Sequence, residues 1–293
     1  MATTTEWVQG ARLKTLPLSV APVLAGTGAA IGQDLGWGVK GFAEAVLALI
    51  VSLALQVGVN YANDYSDGIR GTDDERVGPL RLTGSRRAEP HEVKRAAFAC
   101  FGLAGVAGLV LVLMSGHYWL LAVGVLCVLA AWYYTGGKRP YGYSGLGEVS
   151  VFIFFGLVAV LGTMYTQVDT ISGTGVAAAV GMGALACGVL VANNLRDIPT
   201  DSVTGKTTLA VRLGDSGTRV FYAFLITVPF VLTLVIAPWH PWTALALLAL
   251  PLAKGPVTAV TSGATGMGLI PALKDTGRLG LVWALLIGIG LAL

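Results

Sequence analysis

One segment of the chain, residues 60–74, carries amide and carboxylate side chains at helical spacing. Asn60, Asp64 and Asp67 stand at positions i, i+4 and i+7, which share one face of an α-helix. A basic residue, Arg70, follows Asp67 within one turn. The segment therefore predicts a face that presents one amide and two carboxylates in the same direction, with a cation beside them.

A second segment, residues 193–206, nearly repeats this pattern. Asn193, Asp197 and Asp201 stand at i, i+4 and i+8, again close to one helical face. Pro199 lies between the two carboxylates and is expected to disrupt the helix at the residue before it, so that Asp201 would lie beyond a kink.

Carboxylates that converge from two such faces would repel one another unless a cation lay between them. Hard oxygen ligands of this kind suit Mg²⁺, which keeps several waters and takes its remaining ligands from substrate phosphates. The expected ligand of the paired motifs is therefore a diphosphate. Each motif alone has a simpler interpretation as a solvated helix end with a capping Asn, but two copies at matching depth favour a functional site.

Composition shows what kind of protein must position these residues. Of 293 residues only 12% are charged and 55% are hydrophobic, with a mean hydropathy of +0.73, whereas soluble domains are roughly a quarter charged. A soluble globule and a disordered chain are both excluded, and nothing suggests a nucleic-acid partner. Three cysteines, Cys100, Cys127 and Cys187, lie in apolar runs and are predicted to be packing residues.

Long charge-free runs predict nine transmembrane helices, since about 20 apolar residues cross the hydrocarbon core. The predicted spans are 13–32, 41–64, 95–114, 118–135, 147–166, 173–197, 218–237, 241–260 and 279–293. The two acidic motifs then fall at the same ends of spans 2 and 6. We therefore predict an all-α, polytopic membrane protein, a single domain over residues 1–293 with an internal duplication whose halves face each other across a central cavity.

The basic residues predict the orientation of this protein in the cell membrane. With the N-terminus in the cytoplasm, 18 of the 19 Lys and Arg residues lie on the inner side and only Lys40 lies outside, as the positive-inside rule favours. No cleaved signal segment is expected. The motifs then face the cytoplasm, and we predict that Arg81, Arg86 and Arg87 face anionic lipid headgroups.

Four segments of the chain resemble the UbiA superfamily of intramembrane aromatic prenyltransferases. They read ARLKTLPLSVAPVLAGTG (11–28), NYANDYSDGIRGTDDERVGPLRL (60–82), RPYGYSGLGEVSVFIFFG (139–156) and NNLRDIPTDSVTGKTTLAVRLGD (193–215). The resemblance extends over nearly the whole chain. One departure is that the first motif has Asp-x-x-Asp where many members have Asp-x-x-x-Asp, which leaves open whether Asp73 or Asp74 is a further metal ligand.

This resemblance implies nine helices, Mg²⁺ as cofactor and transfer of a polyprenyl group from polyprenyl diphosphate. The implied acceptor is 1,4-dihydroxy-2-naphthoate, with loss of diphosphate and CO₂ to give demethylmenaquinone. The implied metal ligands and catalytic residues are Asp64, Asp67, Asp197 and Asp201. The implied substrate-binding residues are Asn60, Asn63, Arg70, Arg139, Tyr141, Asn193, Asn194 and Lys206.

Several alternatives stay open at this point. Tyr61, Tyr65 and Tyr141 could shield an allylic cation through their ring faces or could be ordinary interfacial tyrosines. Another acceptor, such as 4-hydroxybenzoate or haem, fits the same motifs. A transporter is also conceivable, although transporter sites favour broken helices at the membrane midplane. Prenyl chain length and oligomeric state are not determined by these residues.

Overall fold

The computed structural model of the chain describes residues 2–33, 37–71 and 80–293, and these residues form helices and turns with no β-strand. Asp73 and Asp74 lie outside the described residues. The helices, labelled in chain order, are α1 (Thr4–Gly10), α2 (Pro17–Ile31), α3 (Val39–Ile69), α4 (Pro90–Ser115), α5 (Leu120–Tyr133), α6 (Gly147–Val168), α7 (Gly173–Val203), α8 (Leu209–Ile236), α9 (Pro241–Thr261) and α10 (Gly266–Ala292).

Each predicted span overlaps one of the helices α2 to α10 in the described part of the chain. Seven of these helices are long and apolar enough to cross a membrane, while α2 and α5 are shorter apolar helices. The all-helical membrane architecture is thus confirmed, and nine crossings remains a prediction. Helix α6 contains a π-helical stretch, Phe152–Leu161, and α9 begins as a 3₁₀ helix, Pro241–Ala249.

The two helices that carry the acidic motifs are longer than predicted. Helix α3 continues to Ile69 and α7 to Val203, so Asp67 and Asp201 lie on helices rather than in the following loops. The end of an apolar run indicates where a helix leaves the lipid. The helix itself can continue beyond that point when its polar side chains find hydrogen-bond partners.

The prediction that Pro199 disrupts the helix near Ile198 is wrong. Pro199 lies inside α7, and Asp201 remains on that helix as a buried residue. A proline removes one backbone donor, and here the helix continues despite that loss. Close to the proline, the Thr200 hydroxyl donates to the Asp197 carbonyl at 2.9 Å.

Helix α7 occupies the centre of the largest core cluster, which also includes residues of α2, α6, α8, α9 and α10. Small residues allow the helix backbones to approach closely, as membrane helix packing favours. At the contact between α2 and α10, a methyl group on Gly28 would overlap the backbone of Gly288. The first motif, on α3, belongs to a separate cluster with α4 and the N-terminal segment. The two motifs therefore lie in different core clusters, and the contacts between them involve the loops that join the helices.

Candidate active site

Asn60 connects helix α3 to the segment that precedes α2. Its buried amide donates to the Ala11 carbonyl at 2.9 Å and to the Thr15 hydroxyl at 3.0 Å. Gln56, one turn earlier, donates to the same hydroxyl at 3.2 Å. The predicted substrate-binding amide of Asn60 therefore holds the N-terminal segment in place.

Asp64 holds the loop that enters α4. Its side chain is fully buried, and its two oxygens accept the backbone N–H groups of Leu82 at 2.7 Å and Thr83 at 2.9 Å. The loop lies directly on the helix, since a methyl group on Gly68 would lie 2.6 Å from the Thr83 Cβ. Arg12 interacts electrostatically with the same carboxylate.

Asp67 is also buried and faces a different set of partners. It accepts a hydrogen bond from the Tyr143 hydroxyl, and the Arg81 guanidinium lies 3.7 Å from its second oxygen. The prediction that Arg81 faces lipid headgroups is wrong, because its side chain is only 9% exposed. The sequence shows a cluster of basic residues but not the carboxylate on the preceding helix that pairs with one of them. Arg81 therefore could not be distinguished from Arg86 and Arg87 by sequence.

Arg70 and Asn63 connect helix α3 to the loop that follows α5. The Arg70 guanidinium donates to the carbonyls of Thr135 and Gly137, and the Asn63 carbonyl oxygen accepts from the Thr135 hydroxyl at 2.7 Å. The guanidinium carbon of Arg70 also lies 5.5 Å from the centre of the Tyr143 ring. The first motif is thereby fixed to the loop between α5 and α6.

In the second motif, Asp197 forms a two-point ion pair with its neighbour Arg196. The two carboxylate oxygens accept from the guanidinium at 2.7 and 2.8 Å. Asn193 lies beside this pair, donating to Asp197 at 3.3 Å and accepting from Arg196 at 2.9 Å. The structure thus brings Asn193 and Asp197 together as predicted and adds Arg196.

Asn194 points away from its neighbour Asn193. Its amide donates to the buried carboxylate of Glu148 at 2.9 Å, which lies near the start of α6. This contact connects α6 to α7 at the second motif. Glu148 was not predicted as a site residue, because a single acidic residue at the start of an apolar span carries no spacing pattern.

Tyr143 joins the two motifs. Besides its bond to Asp67, its ring lies 4.5 Å from the Lys206 ammonium, and its backbone carbonyl accepts the Thr207 N–H at 2.9 Å. Sequence reasoning selected Tyr141, two residues earlier, whose hydroxyl instead contacts the Ala130 carbonyl at 2.8 Å. Both tyrosines lie in the segment 139–156, and no spacing rule distinguishes them.

Arg139 is exposed in the loop before Tyr141, so the structure does not group it with the two motifs.

Tyr61 and Tyr65 pack against aromatic residues outside the two motifs. The Tyr61 hydroxyl donates to the Trp7 carbonyl at 2.9 Å, and the Tyr65 ring stacks on Trp132 with ring centres 6.0 Å apart.

Among the described residues, the four carboxylates predicted as metal ligands are not grouped into a metal-binding cluster. Over residues 2–33, 37–71 and 80–293, no three acidic, His or Cys side chains lie close enough together to hold a metal ion. The donor chemistry nevertheless fits Mg²⁺, because Asp67, Asp197 and Asp201 offer carboxylate oxygens. Two of these carboxylates, Asp67 and Asp197, pair with Arg81 and Arg196 in the structure.

An apolar groove of about 530 Å³ extends along the membrane-facing surface between α5 and α6. Its walls include Val123, Leu126, Leu129, Ile153, Phe154 and Val158. Near the start of α6, the Tyr141 hydroxyl donates to the carbonyl of Ala130, which lines the groove, at 2.8 Å. From Ile153 to Val158 the groove follows α6 away from its start.

Comparison with known proteins places the chain in a family. Residues 19–265 match the model of the UbiA prenyltransferase family. The chain is 55% identical over 294 residues to the 1,4-dihydroxy-2-naphthoate octaprenyltransferase of Mycobacterium tuberculosis, covering 100% of this chain and 98% of that protein. It is 37% identical over 301 residues to the Escherichia coli protein of the same name, covering 99% and 96%.

The fold has solved counterparts. A UbiA homolog from Archaeoglobus fulgidus bound to GPP and Mg²⁺ superposes with a TM-score of 0.70 at 14% identity, covering 97% of this chain and 98% of that one. An apo UbiA homolog from Aeropyrum pernix K1 gives a TM-score of 0.67 at 17% identity, covering 93% and 96%. The apolar helices, the two linked acidic motifs and the full-length match agree: the chain is an integral membrane protein that belongs to the UbiA prenyltransferase family.

Proposed function

We propose that this protein transfers a polyprenyl group from polyprenyl diphosphate to 1,4-dihydroxy-2-naphthoate, releasing diphosphate and CO₂. The product is demethylmenaquinone in its quinol form. The observation that carries the proposal is the full-length 55% identity to an octaprenyltransferase of that acceptor. The link between the two acidic motifs through Tyr143 supports it, because a diphosphate site needs both halves close together.

The reaction balances without an added oxidant or reductant. The allylic C–O bond breaks and the diphosphate leaves with its electron pair. The electron-rich ring of the acceptor then forms the new C–C bond to the allylic carbon. The ring loses CO₂, and the electron pair of the broken C–CO₂ bond restores aromaticity.

The proposed ligands of Mg²⁺ are Asp67, Asp197 and Asp201. Asp64 is a fourth proposed ligand, through the carboxylate lone pairs that do not accept its backbone hydrogen bonds. When bound, the metal ion supplies Lewis acidity toward the diphosphate oxygens. A solved UbiA homolog from Archaeoglobus fulgidus is bound to GPP and Mg²⁺, which supports Mg²⁺ as the metal ion. Asp64 also positions the Leu82–Thr83 turn, so its substitution should affect the structure as well as the chemistry.

The cations around the motifs are proposed to neutralise the departing diphosphate. Arg70 and Lys206 approach Tyr143 from the two motifs. Arg81 and Arg196, which pair with Asp67 and Asp197, join this set because their partners are the proposed metal ligands. Preorganised cations stabilise charge that develops during bond breaking most effectively in a site shielded from water.

The groove between α5 and α6 is proposed to hold the polyprenyl chain. We expect that Val158→Trp, at the end of the groove far from the motifs, will reduce use of long prenyl diphosphates at least about tenfold while geranyl diphosphate is still used. A large ring removes apolar volume that only a long chain reaches, and lost burial costs about 25 cal/mol per Å². Steady-state kinetics with both donors measure this ratio.

The matched control is Val106→Trp, an exposed position on α4, which should leave the donor ratio unchanged. Equal loss with short and long donors in Val158→Trp would contradict the proposed path of the chain.

The acceptor is tested directly in membranes that contain the protein. Incubation with Mg²⁺, a labelled prenyl diphosphate and one of three acceptors, 1,4-dihydroxy-2-naphthoate, 4-hydroxybenzoate or haem, is followed by mass analysis. The proposal requires a prenylated, decarboxylated naphthoate product. A product formed only from one of the other acceptors would overturn it.

A cytoplasmic N-terminus and a cytoplasmic active site are proposed from the distribution of basic residues. The ammonium of Lys40, the predicted outer exception, lies 3.6 Å from the buried carboxylate of Glu44. In a variant without native cysteines, Ser202→Cys should react with an impermeant thiol reagent only in inverted vesicles, and Gly38→Cys in intact cells. Labelling of Ser202→Cys in intact cells would overturn this topology.

A further inference from the structure

The loop between α5 and α6 places one aromatic side chain between the two acidic motifs. Tyr143 lies in a short 3₁₀ turn, Tyr141–Ser144. Its backbone carbonyl accepts from the Thr207 N–H at 2.9 Å and from the Thr207 hydroxyl at 3.2 Å. The next carbonyl, of Ser144, accepts from Arg212 at 2.9 Å. The tyrosine backbone is therefore fixed to the loop that follows the second motif.

The hydroxyl of Tyr143 reaches the other motif. It donates to Asp67 on α3, 76 residues away in the chain. The Asp67 side chain is buried, so its carboxylate has little water to orient it. A hydrogen bond to a carboxylate that is a potential metal ligand sets the direction of its oxygens.

The ring of Tyr143 is contacted by cations from both motifs. The Lys206 ammonium lies 4.5 Å and the Arg70 guanidinium 5.5 Å from the ring centre. Both distances lie within the range of about 6 Å over which a ring face attracts a cation. The ring therefore contacts one basic side chain from each motif, and the Arg70 guanidinium also donates to the carbonyls of Thr135 and Gly137.

We propose that Tyr143 is a positioning residue that aligns the two motifs, its hydroxyl orienting Asp67 for metal binding and its ring retaining Lys206 and Arg70 for the diphosphate. This inference rests on the proposed function only in taking a metal-bound diphosphate as the ligand. The two roles belong to different parts of one side chain, so separate substitutions distinguish them.

Tyr143→Phe removes the hydroxyl and keeps the ring, whereas Tyr143→Leu removes both. The purified full chain in detergent is titrated with Mn²⁺, followed by electron paramagnetic resonance. It is then titrated with inorganic diphosphate at saturating Mg²⁺, followed by calorimetry. Tyr118→Phe and Tyr118→Leu, at an exposed tyrosine in the turn between α4 and α5, are the matched controls.

We expect Tyr143→Phe to weaken Mn²⁺ binding about tenfold or more, as loss of an outer partner of a metal ligand does, with diphosphate affinity within about twofold of the original. Tyr143→Leu should weaken diphosphate binding by roughly a further fivefold or more, because two cation–ring contacts are lost. The Tyr118 variants should match the original protein in both titrations.

Unchanged Mn²⁺ affinity in Tyr143→Phe would overturn the role of the hydroxyl. Diphosphate affinity equal in Tyr143→Phe and Tyr143→Leu would overturn the role of the ring. Both titrations omit the acceptor, so an error in the proposed naphthoate substrate would appear in the membrane product assay and leave these binding results unaffected.

Discussion

Replacement of Asp67 or Asp197 by Asn is expected to lower kcat at least about a hundredfold, with the protein still inserted and folded. Each substitution removes one negative charge from the proposed metal site and keeps the shape of the side chain. Loss of one group that stabilises transition-state charge typically costs about a hundredfold to a thousandfold in kcat. In Asp67→Asn the new amide oxygen can still accept a hydrogen bond from the Tyr143 hydroxyl, so packing around it should persist.

Initial rates at saturating prenyl diphosphate and acceptor, measured over a range of Mg²⁺ concentrations, check this prediction. The control is Asp215→Asn, an aspartate that is 59% exposed and paired with Arg219 outside the two motifs. It should retain nearly full activity. Near-normal rates in both motif variants would rule out the proposed metal roles, and equal losses in all three would indicate a general charge effect.

Asp64→Asn is expected to reduce both activity and stability, in contrast to Asp67→Asn. The carboxylate of Asp64 accepts two backbone N–H groups while fully buried. An amide in its place turns one of these acceptors into a donor that faces a donor. A buried hydrogen-bonding group left unsatisfied costs about 1–3 kcal/mol, and here the loop from Leu82 to the start of α4 would lose its attachment to α3.

Unfolding of the detergent-solubilised variants, followed by far-UV circular dichroism, measures the difference in stability. Asp64→Asn should unfold at a lower temperature than Asp67→Asn, which serves as the matched substitution on the same helix. If the two variants unfold together and lose activity equally, Asp64 acts as a metal ligand alone, and the anchoring role assigned here is incorrect.

Features that depend on neighbouring residues along the chain could be predicted from the sequence. Apolar runs predicted the helices in their correct order, because each run must cover its backbone within lipid. The i, i+4 spacing predicted that Asn193 and Asp197 share a helical face, and the Asn193 amide donates to the Asp197 carboxylate at 3.3 Å. Helix ends were less well predicted, since α3 and α7 continue beyond their apolar runs.

Contacts between polar groups far apart in the sequence could not be predicted, because they depend on the tertiary fold. Asp64 binds a backbone segment 18 residues away, Asn194 binds Glu148 46 residues away, and the Tyr143 hydroxyl reaches Asp67 across 76 residues. Nothing in the spacing of Tyr141 and Tyr143 distinguishes the tyrosine that packs against α5 from the one between the motifs. The choice depends on how helices from different spans pack, because a buried polar group takes whatever partner that packing brings within hydrogen-bond distance.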